Sequence, residues 1–302
     1  MTDSSEVASL SAMLAPYARR TEADLARWLV EPDVPEALAE AMRYCVLGVG
    51  KRLRPAVVWM SAEAVAGGEV RDEEPTARAA AAVELVHCYS LVHDDLPAMD
   101  DDTLRRGRAT AHVRFGEAMA VLAGDALLTR AFHVLCEPAV EAKCSAELVR
   151  MLAAGAGAAG MIAGQVADMD LCPLPEGLEA VRFIHLRKTA ALIRAAARMG
   201  AVCAQAGPAE LLGLTRWAED LGLAYQLVDD VLDVTGSAQQ LGKTPGKDLG
   251  AGKRTAVAEL GQQAAEEMTR ELTDRAVAAL DPLAESADRL KELTHLLVRR
   301  TY

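Results

Sequence analysis

Apolar residues recur at spacings of three and four along almost the whole chain, and alanine and leucine dominate these positions. This period places apolar side chains on one face of a helix, and both residue types have high helix propensity. No stretch between turn signals alternates apolar and polar residues in the way that indicates a strand. The sequence therefore predicts an all-α protein.

Proline marks the boundaries between the predicted helices, because it is tolerated in a first turn but not in a helix interior. The helices are predicted at 5–30, 35–48, 55–66, 75–98, 116–136, 146–169, 177–205, 208–235, 254–280 and 283–299. The segment 236–252, rich in glycine and lysine, is the main loop and is too short to separate domains. We therefore predict a single domain over residues 1–302, built as one helical bundle with long central helices.

Net charge indicates which classes of partner are disfavoured, and cysteine usage indicates the cellular compartment. Lys+Arg 32 against Asp+Glu 44 gives a net charge of −12, which disfavours nucleic acid and anionic membrane surfaces as partners. The longest uncharged stretch, 151–167, is mostly Ala and Gly and does not predict a stable membrane insertion. The six cysteines show no Cys-x-x-Cys, and the first residues lack the basic start and apolar run of a signal peptide. We expect a cytoplasmic protein with reduced thiols.

An aspartate group lies inside an apolar helical pattern in the later half of the chain. Asp229, Asp230 and Asp233 stand in QLVDDVLDV, among leucine and valine. Asp229 and Asp233 are four residues apart, so they share one face of the helix. This pattern indicates a pair of inward carboxylates rather than a solvated charge run.

A second aspartate group stands in HDDLPAMDDD and contains Asp94, Asp95 and Asp100. A regular helix would separate Asp94 from Asp100, but Pro97 should end or kink the helix and let the chain loop back. Carboxylates brought this close repel one another unless a cation lies between them. Oxygen-only ligands favour Mg²⁺, which substrate phosphates usually complete. The alternative is two solvated acidic helix ends.

Basic clusters accompany these acids in a protein that is acidic overall. They are Lys51, Arg52 and Arg54 in GKRLRP, Arg105, Arg106 and Arg108 in LRRGR, and Lys243, Lys247 and Lys253 in the late loop. Carboxylates together with Arg and Lys are what a magnesium-bound polyphosphate requires. His87, seven residues before Asp94, shares its helical face and is either a site residue or a core histidine.

Together these motifs resemble those of the trans-prenyl diphosphate synthases, the bacterial-type farnesyl and geranylgeranyl diphosphate synthases. The matching segments are GKRLRP at 50–55, SLVHDDLPAMDDDTLRRGRAT at 90–110, FGEAMAVLAGDALL at 115–128, KTAALI at 188–193, YQLVDDVLDV at 225–234 and LGKTPGKDLGAGK at 241–253. The resemblance implies the isoprenoid synthase fold, a helical bundle around a deep central cavity, and a homodimer. It implies head-to-tail condensation of isopentenyl diphosphate with dimethylallyl, geranyl and also farnesyl diphosphate.

The resemblance also implies a role for each matching residue. Mg²⁺ on the allylic diphosphate would be held by Asp94, Asp95, Asp100, Asp229 and Asp233, and the same diphosphate would be contacted by Arg105, Lys188, Lys243 and Lys253. Isopentenyl diphosphate would be bound by Lys51, Arg54, His87 and Arg106. Oxygens near Lys188, Thr189 and Gln226 would steady the allylic cation.

Product length depends on the residues below the first aspartate group. Tyr89, with Ser90 beside it, resembles the aromatic stop of farnesyl synthases, and we expect a C15 product with C20 as the alternative. Tyr89 as ordinary core packing is the competing interpretation. The chain departs from the family pattern at Ala109, at Ala163 and at Arg254, Thr255 and Ala256, which puts local loop shape in question.

Three other functions compete with this interpretation. A class I terpene cyclase also uses an aspartate-rich helix, but its second metal motif normally contains Asn or Asp, Ser or Thr, and Glu, whereas the motif here is Asp-Asp-x-x-Asp. A di-iron bundle would use the Glu-x-x-His pairs at Glu84 and His87 and at Glu292 and His295. A non-catalytic partner subunit would have no use for intact metal motifs.

Overall fold

The computed structural model describes residues 3–48, 50–235 and 254–299. Its helices are α1 (Asp3–Trp28), α2 (Glu36–Val46), α3 (Leu53–Ala66), α4 (Glu73–Asp94), α5 (Ala111–Phe115), α6 (Glu117–Leu135), α7 (Ala142–Ala156), α8 (Met161–Asp168), α9 (Leu178–Ile184), α10 (Ala191–Cys203), α11 (Pro208–Thr235), α12 (Ala256–Leu260), α13 (Gln262–Ala279) and α14 (Asp288–Val298). A π-helical segment (His185–Ala190) joins α9 to α10, and a 3₁₀ helix (Asp281–Ala287) precedes α14. The predicted all-α class is confirmed.

The described residues contain one small sheet, which the sequence did not predict. Two-residue strands β1 (Leu104–Arg105) and β2 (Arg108–Ala109) pair antiparallel. Arg106 and Gly107 between them both have positive φ, 52° and 75°, which is the geometry of a type I′ turn. Such short strands carry no periodic signal, because alternation needs more residues than they contain.

Several predicted helices are shorter than the sequence indicated. The predicted helix 146–169 is interrupted at 157–160 between α7 and α8, where Gly157 and Gly160 lie against carbonyl oxygens of the preceding turn. The predicted helix 254–280 is divided at Gly261, whose φ of +79° no regular helix accommodates. The predicted helix 75–98 begins at Glu73 and ends at Asp94, before Pro97.

The centre of the fold is formed by α4, α3 and α10, which are buried on almost every side. An almost continuous run of α4 from Pro75 to Tyr89 is buried, so this helix has no distinct polar face. It packs against α6, α3 and α10. Gly200 of α10 lets that helix approach α3 closely, because an added Cβ would lie 2.1 Å from the carbonyl oxygen of Val58.

Two stretches, Glu117–Leu135 and Ala142–Asp168, are long and apolar enough to cross a membrane by length and composition alone. Core helices of water-soluble proteins pass the same test. Here α6 packs against α4, and α7 packs against α10.

Two glycines hold the π-helical segment between neighbouring helices. A Cβ added at Gly164 of α8 would lie 2.1 Å from the backbone nitrogen of Lys188. A Cβ added at Gly222 of α11 would lie 2.5 Å from the Cβ of Ala190. The π segment is therefore packed on two sides against backbone that only glycine allows to approach.

We expect Gly164→Ala to lower the free energy of unfolding by about 1–3 kcal/mol, because the added methyl group meets backbone rather than a movable side chain. This loss should exceed the gain of roughly 1 kcal/mol that alanine brings to a helix interior. Urea denaturation followed by far-UV circular dichroism measures the difference. Ala163→Ser, one residue earlier in α8, is the control and should change stability by less than about 1 kcal/mol. A Gly164→Ala variant as stable as the parent would contradict the packing argument.

Candidate active site

The chain after α4 turns back and brings Asp100 to Asp94. The backbone N–H of Asp100 donates a hydrogen bond to the carbonyl oxygen of Asp94 at 2.8 Å. Asp101, with φ 51°, donates from its backbone N–H to the Leu96 carbonyl at 3.2 Å and closes the turn. The structure thus has the return that Pro97 predicted.

Asp94 lies in an environment that disfavours its charge. Burial raises its pKa to about 6, the carboxylates of Asp100 and Asp95 add to the rise, and the cations of Lys188 and Arg105 oppose it. Crowded, partly desolvated carboxylates of this kind are stabilised by a divalent cation. The donor set contains only oxygen, and it therefore fits Mg²⁺.

The β1–β2 hairpin carries two arginines to two different places. Arg105 donates from Nε to Oδ1 of Asp95 at 2.7 Å, and its Nη2 lies 3.7 Å from Oδ2 of Asp102. The guanidinium of Arg106 rests on Gly50, where an added Cβ would lie 2.2 Å from Nη1. The hairpin therefore joins the first aspartate group to the start of GKRLRP.

His87 and Arg54, both half-buried, belong to the predicted second diphosphate site. Burial lowers the pKa of His87 well below its usual value, and the charges of Arg54 and Arg106 lower it further, so the imidazole is neutral. Burial also lowers the pKa of Arg54. Within the described ranges, Nε of Arg54 is buried and has no hydrogen-bond partner. Three of the four predicted residues are thus within electrostatic reach of one another, while Lys51 is exposed.

Arg52 does not belong to this basic cluster, contrary to the sequence analysis. It is only 2% exposed, and it donates from Nη1 to Oε1 of Glu84 at 2.6 Å and from Nε to Oε1 of Glu22 at 2.9 Å. Its left-handed backbone (φ 53°) turns the side chain into the core at the start of α3. Arg52 therefore forms structural ion pairs with Glu22 and Glu84 that join α1, α3 and α4.

The same contacts remove the di-iron interpretation. Glu84 is committed to Arg52, and both Glu292 and His295 are exposed on α14. The two Glu-x-x-His pairs therefore do not form one buried metal site.

The π-helical segment links the two aspartate groups. Lys188 acts electrostatically on Asp94 and forms an ion pair with Oδ2 of Asp168 at 2.6 Å. Its neighbour Thr189 donates from Oγ1 to Oε1 of Gln226 at 2.8 Å, one turn ahead of Asp230 on α11. Adjacent residues of the π segment thus act on the first aspartate group and bond beside the second, so this segment lies between the two groups. Asp168 was missed in the sequence, although its spacing of three from Gln165 places both on one side of α8.

The aspartates of the second group lie on two faces of α11. Asp229 and Asp233 lie one turn apart on a regular helix, as predicted, and Asp233 is 3% exposed. Asp230 instead accepts a hydrogen bond from the backbone N–H of Ala256 at 2.8 Å and lies 3.6 Å from Nε2 of His185. Burial lowers the pKa of His185 to about 4, so that imidazole is neutral. Asp230 thus ties α11 to the π segment and to the start of α12.

Among the described side chains, no three histidine, cysteine or carboxylate groups converge closely enough to form a complete metal site. Lys243, Lys247 and Lys253 lie outside the described residues.

Tyr89 and Ser90 lie on α4 beside the first aspartate group. Tyr89 is buried, and its ring meets that of His93 edge-on at 5.8 Å. His93 in turn lies over Gly124 of α6, where no Cβ would fit. Ser90 donates from Oγ to the carbonyl of His87 at 2.9 Å. Tyr89 is therefore a buried core residue of α4, and its effect on product length stays a prediction.

The departures from the family pattern leave the local backbone intact. Ala109 lies opposite Leu104 in the non-hydrogen-bonded pair of the hairpin, a position that does not use its N–H. Thr255 caps α12 by accepting from the N–H of Ala258 at 3.2 Å, and Arg254 pairs with Asp170 at 3.1 Å. Ala163 is half-buried on α8 next to the essential Gly164.

Comparison with known proteins agrees with this geometry. The family model described as Polyprenyl synthetase matches residues 35–296. The chain is 44% identical over 270 residues to the farnesyl diphosphate synthase of Escherichia coli (strain K12), covering 87% of this chain and 89% of that protein. It is also 44% identical over 257 residues to geranylgeranyl pyrophosphate synthase 12, chloroplastic, of Arabidopsis thaliana, covering 83% and 70%.

Solved structures show the same fold. The apo crystal structure of an FPP/GFPP synthase from Zymomonas mobilis matches with a TM-score of 0.83 at 33% identity, over 96% of this chain and 99% of that one. A geranyltransferase from Legionella pneumophila matches with a TM-score of 0.82 at 32% identity, over 97% of both chains. The family match, the relatives and the shared fold lead to one conclusion: this chain belongs to the trans-prenyl diphosphate synthase family, has the all-α isoprenoid synthase fold, and is a prenyltransferase.

Proposed function

We propose that the protein condenses isopentenyl diphosphate head-to-tail with allylic diphosphates in a magnesium-dependent reaction that ends at farnesyl diphosphate (C15). The observation that carries this proposal is the pair of adjacent residues Lys188 and Thr189. One acts on Asp94 of the first aspartate group, and the other bonds Gln226 beside the second. A diphosphate in the cavity between them would meet carboxylates and cations from both sides.

The allylic diphosphate would lie between the two aspartate groups. The residues that would hold magnesium are Asp94, Asp95, Asp100, Asp229 and Asp233, and those that would contact the diphosphate are Arg105, Lys188, Lys243 and Lys253. Magnesium, when bound, neutralises the diphosphate so that it becomes a good leaving group. The cation of Lys188 is held in place for this contact by Asp168.

Isopentenyl diphosphate would bind beside Gly50, where Lys51, Arg54, His87 and Arg106 offer donors. The buried Nε of Arg54 has a hydrogen bond to give, and a neutral His87 can donate without adding another charge. Binding here places the double bond of the second substrate against the allylic carbon, and this orientation is a large part of the catalysis.

The allylic cation would be steadied by oxygen atoms rather than by a nucleophile. Thr189 and Gln226 are held against each other and expose oxygen lone pairs near Lys188. The departed pyrophosphate would remove the final proton. A class I terpene cyclase would have no use for the second diphosphate site, which favours elongation over cyclisation.

We further propose that residues 1–302 form a single domain and that the protein works as a cytoplasmic homodimer. Val113, Val121 and Leu122 expose apolar side chains on α5 and α6, with exposures of 40–56%. A cluster of this kind favours burial against a second copy of the chain. Geranylgeranyl diphosphate (C20) is the alternative product, since the farnesyl and geranylgeranyl relatives are equally identical to this chain.

Incubation with geranyl diphosphate, with and without isopentenyl diphosphate, tests the reaction type. We expect no conversion of geranyl diphosphate alone and farnesyl diphosphate when both substrates and Mg²⁺ are present, as read by chromatography of the dephosphorylated products. Cyclic hydrocarbons from geranyl diphosphate alone would contradict the proposal and favour a cyclase.

Asp94→Asn and Asp229→Asn should each lower kcat/KM by about 10²-fold or more, because each removes a charge that neutralised the metal–diphosphate complex. Far-UV circular dichroism should remain that of the parent. Asp274→Asn, at an exposed position of α13, is the matched control and should keep full activity. Near-parental turnover of either active-site variant would refute the metal assignment.

Tyr89→Ala should lengthen the main product from C15 to C20 or beyond, because removing the buried ring opens space below Asp94. Tyr89→Phe keeps the ring and should still stop at C15. Product lengths are compared with dimethylallyl, geranyl and farnesyl diphosphate as starters. A C15 product from Tyr89→Ala would show that Tyr89 serves only to pack α4 against α6.

A further inference from the structure

Tyr44, near the end of α2, makes four contacts with the segment that follows the first aspartate group. Its hydroxyl donates to the carbonyl oxygen of Ala109 at 2.8 Å. The guanidinium carbons of Arg108 and Arg114 lie 4.2 and 4.3 Å from the centre of its ring. Phe115 meets the ring edge-on at 5.3 Å. Tyr44 is therefore the point where the β1–β2 hairpin and α5 rest on the helical body.

The hairpin needs such a support, because strands of two residues are too short to be stable alone. Two hydrogen bonds close the open end of the hairpin. The backbone N–H of Thr110 donates to the carbonyl oxygen of Thr103 at 3.0 Å, and the ring Nε2 of His112 bonds the carbonyl oxygen of Asp102 at 3.0 Å. Leu104 on the hairpin is 67% exposed and adds little packing. The bond from Tyr44 to Ala109 and the contact of Arg108 with the Tyr44 ring join the second strand to α2.

The hairpin carries one arginine of each proposed diphosphate site. Arg105 reaches Asp95 in the first aspartate group, and Arg106 rests on Gly50 at the start of GKRLRP. Tyr44 lines the same pocket as these two arginines. It is also only six residues ahead of Gly50, so α2 supports both the hairpin and the loop that receives Arg106.

Tyr44 also binds two of the four arginines of this segment and leaves the other two to the proposed diphosphate sites. Arg105, Arg106, Arg108 and Arg114 are close in sequence and repel one another. The π system of the Tyr44 ring attracts Arg108 and Arg114, and Arg114 is further held by Glu40 at 3.4 Å. This arrangement leaves Arg105 and Arg106 directed to the diphosphate sites.

We propose that Tyr44 is a positioning residue that sets the reach of Arg105 and Arg106 and thereby the affinity for both diphosphate substrates. This inference rests on the proposed function for the identity of those substrates. Tyr44 acts through the hairpin and contacts neither diphosphate. Its removal therefore weakens substrate binding more than it slows the chemical step.

Two variants and one matched control test this role. Tyr44→Phe removes only the hydrogen bond to Ala109 and should raise KM for isopentenyl and geranyl diphosphate by about two- to fivefold. Tyr44→Leu also removes the ring between the arginines and should raise both KM values by about tenfold or more. In both variants kcat at saturating substrate should stay within about twofold of the parent. Tyr17→Phe, which removes a hydroxyl bonded to Glu63 and Arg289 away from the site, should leave KM unchanged.

Calorimetric titration with inorganic pyrophosphate and Mg²⁺ gives a readout that does not depend on turnover. We expect the dissociation constant for pyrophosphate to follow the order of the KM values. It should be lowest in Tyr17→Phe, higher in Tyr44→Phe and highest in Tyr44→Leu. If Tyr44→Leu fails to fold, the comparison of Tyr44→Phe with Tyr17→Phe still tests whether Tyr44 is a positioning residue. Unchanged KM and pyrophosphate affinity in Tyr44→Phe, or a fall in kcat with KM unchanged, would overturn the proposal. A parent protein that binds pyrophosphate but does not consume isopentenyl diphosphate would refute the proposed function, and the titration would still test Tyr44.

Discussion

The site depends on the π-helical segment His185–Ala190, which is held between α8 and α11 by glycines on both sides. A π turn places successive side chains differently from an α-helix, and such turns are frequent at functional sites. Here it lets Lys188 act on Asp94 while the next residue, Thr189, bonds Gln226. The close packing of Gly164 and Gly222 keeps the segment in this position.

The charged groups of the site are arranged in ion pairs, and the two histidines are neutral. Asp95 and Arg105 compensate each other, as do Asp168 and Lys188. His87 is half-buried and His185 is buried, and both are neutral, so they donate or accept hydrogen bonds without adding charge. Burial raises the pKa of Asp94 to about 6 and also raises the pKa of its neighbour Asp95, which is the environment that a divalent cation stabilises. In a chain with a net charge of −12, Arg54, Arg105 and Arg106 all act electrostatically on His87, and Arg105 and Lys188 act on Asp94.

Much of the site could be predicted from the sequence, because its determinants are local. The return of Asp100 to Asp94 follows from Pro97, and the shared face of Asp229 and Asp233 follows from their spacing. Arg52 shows the opposite case. It stands among diphosphate-binding residues in GKRLRP, yet a positive φ turns it into the core, where Glu22 and Glu84 hold it. No pattern in one sequence distinguishes a buried arginine paired with distant glutamates from one that faces a substrate.

The sequence by itself determined the helical class, the two aspartate groups and the family, because helical period and motif spacing are properties of neighbouring residues. Only the tertiary structure decided which charged residues meet. Asp168 with Lys188, Asp230 with Ala256 and Tyr44 with the β1–β2 hairpin are contacts between residues 20, 26 and 65 positions apart. Such contacts arise from the packing of helices around a common core, and packing depends on the whole chain rather than on any one segment. The π segment likewise lies where two neighbouring helices approach too closely to leave room for a Cβ at Gly164 or Gly222.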